Sequence, residues 1–394
     1  MGCVSPRRSG RLKGATVVII AVLLPVVIGG LALSVDTAVI ATARAQLSTV
    51  ADAAALAGAR KLVSTQRRNG SVISGEDVTV AQVAAKDVAW LNKVLGSEAL
   101  LLLNGSNANS GSEDIVVGYI SKPTDQAEAV STSVANMPFA NTVMVTARRD
   151  ASHSGVVPSF FSRFWNNNGS SLSVTSAATV KGFLGFQKID GSTTVNLLPI
   201  VLDQTTYKAM IAGITTDQYT YNPASNTVTN GADGIKESKL FPVATGNPGN
   251  WGTVNIGVTS NSTSVLGEQI RNGITPAQLA TFPNSTIQLD TSLSPPSITF
   301  SGDPGISAGI KDDLTSIIGK AVYIPVYDES GGNGNNAWSR VVAFAPVRLL
   351  AVDFQGGAKY VIVQPATIAD NGTQVWGGVK SWPPDQEFRL TLTR

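Results

Sequence analysis

The chain has 394 residues, of which 43% are hydrophobic and 14% charged, with a net charge of +2, one His and one Cys. A balance this close to neutral leaves no electrostatic footprint for nucleic acid. One His, and no Cys beyond Cys3, leave no ligand set for zinc and no thiol for the body of the chain, whose polar surface must come largely from Ser, Thr, Asn and Gly.

Residues 1–13 form a basic head containing Arg7, Arg8, Arg11 and Lys13 and no acidic residue. Residues 15–35 then carry no charged side chain. At about 1.5 Å of rise per residue such a run crosses a hydrocarbon core of about 30 Å, so residues 14–35 are predicted to be a transmembrane helix. Basic residues before it, and Asp36, Arg44 and Asp52 after it, put the N-terminus in the cytoplasm and export the remainder. Cleavage after Ala43 or Ala45 would fall beyond Asp36 and inside a helical pattern, which disfavours a removed signal peptide. Gly14 is placed like a pilin processing site, but Ile19 stands where a pilin needs Glu. Pro6 spoils the myristoylation pattern begun by Gly2.

Beyond the span, Val39, Ala43, Leu47, Val50, Ala54 and Ala57 recur at helical spacing. Residues 36–64 therefore read as an Ala-rich helix. It either packs on its own domain or meets partner helices through Ala51, Ala55 and Gly58.

The runs Gly30-Leu31-Ala32-Leu33-Ser34-Val35-Asp36, Ala43-Arg44-Ala45-Gln46-Leu47 and Ala51-Asp52-Ala53-Ala54-Ala55-Leu56-Ala57 resemble the N-terminal region of TadG-like proteins. Those proteins belong to bacterial tight-adherence (Flp pilus) assembly systems. A weaker echo runs over residues 141–180. The resemblance implies a single-pass inner-membrane protein that acts in assembly or anchoring of such a pilus. Its partners would be the membrane, pilus-assembly proteins, or further copies of itself through the stalk helix.

Residues 65–200 are predicted to form a proximal α+β domain. Val80, Ala84, Val88, Leu91 and Leu95 mark a helix opened by a Thr79–Gln82 capping pair and closed by Gly96. A turn cluster follows at 104–111, with strands at 114–120, 142–148 and 172–181. Residues 158–165 suggest a short helix whose aromatic side chains fill a core. A strand over 196–200 and a helix over 206–211 lead into a polar linker or excursion within 201–250. A distal β-rich domain then occupies 251–394, with strands at 253–258, 297–300, 322–327, 340–351, 360–363 and 388–392. One helix there presents Ile306, Ile310, Leu314 and Ile317 and ends at Gly319. The fold class is α+β: a transmembrane helix, its amphipathic continuation, and mainly antiparallel exported sheets.

Four motifs invite chemistry. Gly305-Ile306-Ser307-Ala308-Gly309 spells a nucleophile elbow, but Asp303-Pro304 looks like a helix start and His153 lies upstream of Ser307. Gly332-Asn333-Gly334-Asn335-Asn336-Ala337 spells a dinucleotide fingerprint, yet strand-like residues follow it, as in a hairpin loop. Asp203-Gln204-Thr205-Thr206-Tyr207 partly matches a Mg²⁺-binding Asp-x-Ser-x-Ser string, but Tyr207 stands where the second Ser belongs, and Asp203 reads as the N-cap of a short helix. Asp328, Glu329, Asn333, Asn335 and Asn336 could offer oxygens to Ca²⁺ without the EF-hand spacing. No catalytic, cofactor-binding or metal residue is assigned, and a non-enzymatic protein is expected. The rival readings are an envelope-anchored adhesin binding through 251–394 and an exported serine hydrolase using Ser307.

Overall fold

The computed structural model describes residues 13–63, 72–103, 107, 113–123, 125, 127–161, 169–191, 193–240, 252–259, 262–304, 307–332, 336–354, 359–369, 371–378 and 388–393. The basic residues before Lys13, Cys3, most of the 104–111 cluster, Trp165, Gly305, Ile306 and Asn333 to Asn335 lie outside them.

Helix α1 (Lys13–Lys61) is continuous through Pro25. Helix α2 (Gly75–Leu91) begins with a Ser74–Asp77 capping box, its N-cap five residues before the expected Thr79. Its buried face is Val78, Ala81, Ala85 and Ala89, while Val80 and Leu91 of the expected stripe are exposed. The reason is proximity: Gly58 of α1 lies against Ala81 and Ala85, and only small side chains fit between two helices this close. Gly96 closes no helix. It sits at φ +82° in the turn of a hairpin formed by β1 (Lys93–Val94) and β2 (Ser97–Glu98).

Strands β3 (Ile115–Gly118) and β4 (Thr142–Arg149) form where Val, Ile and Thr dominate. The expected helix at 158–165 is not seen in its described part. Val157–Pro158 is instead strand β5, paired with β6 (Gly169–Ser170), and Phe160 is 58% exposed rather than in a core. The next strand, β7 (Leu172–Gln187), runs well past its expected end.

Residues 196–200 form only isolated bridges, but β8 (Leu202–Asp203) and α3 (Gln204–Ile211) follow. The polar segment folds into a hairpin of β9 (Tyr219–Asn222) and β10 (Thr227–Asn230), then β11 (Ser238–Lys239). After β12 (Gly252–Val254) come α4 (Thr263–Asn272) and α5 (Pro276–Leu279), neither foreseen in the sequence. The remaining elements are β13 (Thr286–Gln288), β14 (Ile298–Pro304), α6 (Lys311–Thr315), β15 (Ala321–Gly331), β16 (Ala337–Asp353), β17 (Tyr360–Pro365), β18 (Gln374–Gly377) and β19 (Phe388–Leu392). Asp303 and Pro304 end strand β14 rather than start a helix.

Among the described residues the longer strands make two sheets. In the six-stranded sheet β3, β4 and β7 run antiparallel, and β13, β18 and β19 return from the C-terminal part to pair with β7. The seven-stranded sheet is built around β16, flanked by β14, β15 and β17, with β8 adding the one parallel pairing. Strands from both sides of the 201–250 segment thus share the six-stranded sheet, whereas the seven-stranded sheet takes β8 and β11 from within that segment and the rest from beyond it.

The first core lies between the helices and the six-stranded sheet. It joins Leu47 and Val50 of α1, and Leu62 just past its end, to Val143, Val145 and Val180. A second core covers one face of the seven-stranded sheet with Met210, Leu266, Ile270 and Leu314. The third core joins the two sheets through Phe183, Phe186, Tyr323 and Phe344. Phe183 and Phe186 share a face because β7 bulges at Leu184, where the pairing with β18 slips by a residue. Gly185 takes φ +151° there, and a Cβ on it would lie 2.0 Å from the Ile287 carbonyl oxygen.

Candidate membrane anchor and docking face

Helix α1 has two halves with opposite surroundings. From Val17 to Val35 its side chains are exposed, with Ala32 the one exception. Leaving that many Val, Ile and Leu side chains in water is unfavourable by about 1.5–3 kcal/mol each. The segment is long and apolar enough to cross a membrane.

The second half docks on the rest of the chain. Ala43, Leu47, Val50, Ala51, Ala54, Ala55 and Ala59 are buried against α2 and the six-stranded sheet. Ala51, Ala55 and Gly58, one of the surfaces open to partner helices in the sequence reading, are enclosed by the chain itself. A Cβ on Gly58 would come within 2.9 Å of both the Ala81 carbonyl oxygen and Val143 Cγ1. Gly58→Leu is expected to destabilise the folded domain by about 2–3 kcal/mol through overpacking, measured as a lower denaturation midpoint at unchanged slope. An unchanged midpoint would show that α2 is free to move away from α1.

Two polar side chains of α1 fasten loops to it. Asp36, only 6% exposed, follows the span directly. Its carboxylate accepts hydrogen bonds from Ser159 Oγ at 2.9 Å, from the Phe160 amide at 2.8 Å and from the Phe161 amide at 3.2 Å. Gln46 Oε1 accepts from the Leu95 amide at 2.8 Å, holding the β1–β2 turn, where Leu95 has φ +49°. Both residues stand in the motif runs noted in the sequence, but their partners lie 49 and more than 120 positions away. No local pattern signals such contacts.

The residues that invited chemistry have structural duties. Ser307 caps a short 3₁₀ turn, its Oγ accepting from the Gly309 amide at 3.2 Å and lying 3.0 Å from Thr263 Oγ1. His153 is buried between two carboxylates, with Nδ1 2.7 Å from Asp150 Oδ1 and Nε2 2.9 Å from Asp114 Oδ2. The hydrogen bond from His153 holds the Asp150 carboxyl below the usual carboxylate range. Arg148 lies 3.3 Å from Asp114, and the Leu102 amide donates to the same carboxylate at 2.7 Å, so this cluster ties β3, β4 and the following turn together.

Asp203 caps α3 through the Thr206 amide at 2.9 Å, as its N-cap reading anticipates. Asp328 receives two 2.8 Å hydrogen bonds from Arg340, and Glu329 lies 2.8 Å from the same guanidinium. The segment after Gly331 joins β15 to β16 in an antiparallel hairpin. Among the described residues no group of three or more His, Cys, Asp or Glu side chains is placed to hold a metal ion.

Searches of curated proteins and of solved structures returned no match. The model of the Tad family, described as putative Flp pilus-assembly TadE/G-like, matches residues 14–61. The match begins one residue after the start of α1 and ends on its last, covering both the exposed span and the docked half. Over nearly its whole length the long N-terminal helix of this chain is thus similar to the TadE/G-like segment of that family.

Proposed function

We propose that the protein is a single-pass inner-membrane component of a tight-adherence pilus system. Its N-terminus lies in the cytoplasm, its folded bulk is exported, and it acts in assembly or anchoring of the pilus without catalysing a reaction. One observation carries this reading: the TadE/G-like match coincides with a helix whose first half is bare and apolar and whose second half is built into a folded domain. The structural duties of Ser307 and His153 support the non-enzymatic part. The docked half of α1 is covered by its own chain, so contacts with pilus components or a second copy fall to other surfaces. The outer face of α2 is one, with Val80, Val83, Trp90 and Leu91 exposed.

Deleting the gene is expected to abolish or sharply reduce pilus display and surface attachment, with restoration by the intact chain. Unchanged values for both would sink the proposal. A C-terminal tag that resists protease in intact spheroplasts would reverse the orientation.

A further inference from the structure

We infer that the loop carrying Phe160 is a second membrane contact, clamped by Asp36 so that its ring enters the lipid headgroup region beside the emerging span. This rests on the membrane-anchor reading above.

Three observations converge. Asp36 is the first charged residue after the uncharged run, and that run matches the hydrocarbon thickness of about 30 Å, so Asp36 marks the boundary between acyl chains and headgroups. The Phe160 amide donates to the Asp36 carboxylate at 2.8 Å, which fixes the loop backbone at that level. Ala32, one helical turn before Asp36 on the same face, is buried, so the folded domain overlaps the last turn of the span.

Phe160 is 58% exposed despite this crowding, and Pro158 and Val156 beside it are also exposed. A Phe ring held at an apolar–polar boundary suits the headgroup–acyl boundary of a bilayer, where Phe, Trp and Leu side chains of surface-bound segments bury themselves. The backbone clamp also removes the conformational freedom that lipid contact would otherwise have to restrict. The chemistry that fits is a lipid interface, and the consequence is a domain held at one tilt to the membrane rather than swinging on its helix.

The test places an environment-sensitive fluorophore at single cysteines of the full chain in a Cys3→Ser background: Phe160→Cys, Leu24→Cys in the span, and Ala224→Cys at the tip of the β9–β10 hairpin. Each variant is reconstituted in phosphatidylcholine vesicles containing spin-labelled lipid, with the label either near the headgroup or deep in the acyl chain. The Phe160 probe is expected to be quenched at least about twofold more than the Ala224 probe by the shallow label, and less by the deep label than by the shallow one. The Leu24 probe should respond most to the deep label.

Adding Asp36→Ala should drop quenching at position 160 to the Ala224 level and leave Leu24 unchanged. If the Leu24 probe is quenched but the Phe160 probe matches Ala224, the inference fails and the anchor stands. If the Leu24 probe is not quenched, the anchor reading fails and the inference with it. Deep quenching of the Phe160 probe overturns the interfacial placement, and quenching that survives Asp36→Ala overturns the clamp.

Discussion

Leu24→Arg combined with Ile28→Arg is expected to remove the protein from the carbonate-resistant membrane fraction. Both side chains are more than half exposed on the bare half of α1, so nothing in the fold needs their apolar character. Each arginine near the centre of a span opposes insertion by about 2.5–3.5 kcal/mol, so the pair costs about 5 kcal/mol or more, enough to shift the inserted fraction by roughly a thousandfold or more. Thr37→Arg serves as the control. It is exposed on the same helix just past the boundary, and an arginine there can reach the headgroups. Retention of the double variant in membranes would show that the bare segment is covered by another protein rather than by lipid.

Phe183→Ala is expected to loosen the junction between the two sheets. The Phe183 ring is fully buried, with its centroid 5.2 Å from Phe186, 5.1 Å from Tyr323, 6.2 Å from Phe344 and 5.3 Å from Trp376. Three of these partners come from the later part of the chain, and the alanine would leave a cavity among them that rigid sheets cannot close. The loss should be about 3–5 kcal/mol, or a Tm lower by about 10 °C for a folded region of this size. Calorimetry in detergent would read both the shift and any splitting of the transition. A loss under about 1 kcal/mol would mean that the aromatic cluster does not couple the sheets.

The strands read most readily were those with dense Val, Ile and Thr. β4 and β16 lie within a few residues of their expected places. In β16 the run from Val341 to Val347 is buried on both faces: Ala343, Ala345 and Val347 meet the helices, and Phe344 meets the other sheet. Such a strand shows no alternation, so its apolar run reveals a strand but not its neighbours. In β7 the stretch dense in Val and Thr gives an expected end at Lys181. The strand continues because Gly185 lets the Ile287 backbone approach at the bulge. The short strands β13 and β18 exist only as partners of β7, a pairing that spans about 100 to 190 positions and leaves no local trace.

The helix faces teach a similar lesson. In α2 the large side chains suggested a buried stripe through Val80 and Leu91, but tight approach to α1 selected Ala81, Ala85 and Ala89 for the interior. Hydrophobicity ranks alanine low, whereas close packing between helices ranks it high.

By itself the sequence determined the uncharged run at residues 15–35, its unbroken helical continuation, the antiparallel β-rich class and the TadG-like resemblance. Each depends on side chains near one another along the chain, through length, charge and period. Tertiary structure alone decided that the second half of α1 is covered by its own domain, that Asp36 and Gln46 hold distant loops, and that β7 carries strands from the C-terminal region. Those outcomes depend on which surfaces approach closely enough to exclude water and exchange hydrogen bonds, a property of the folded chain rather than of any one segment.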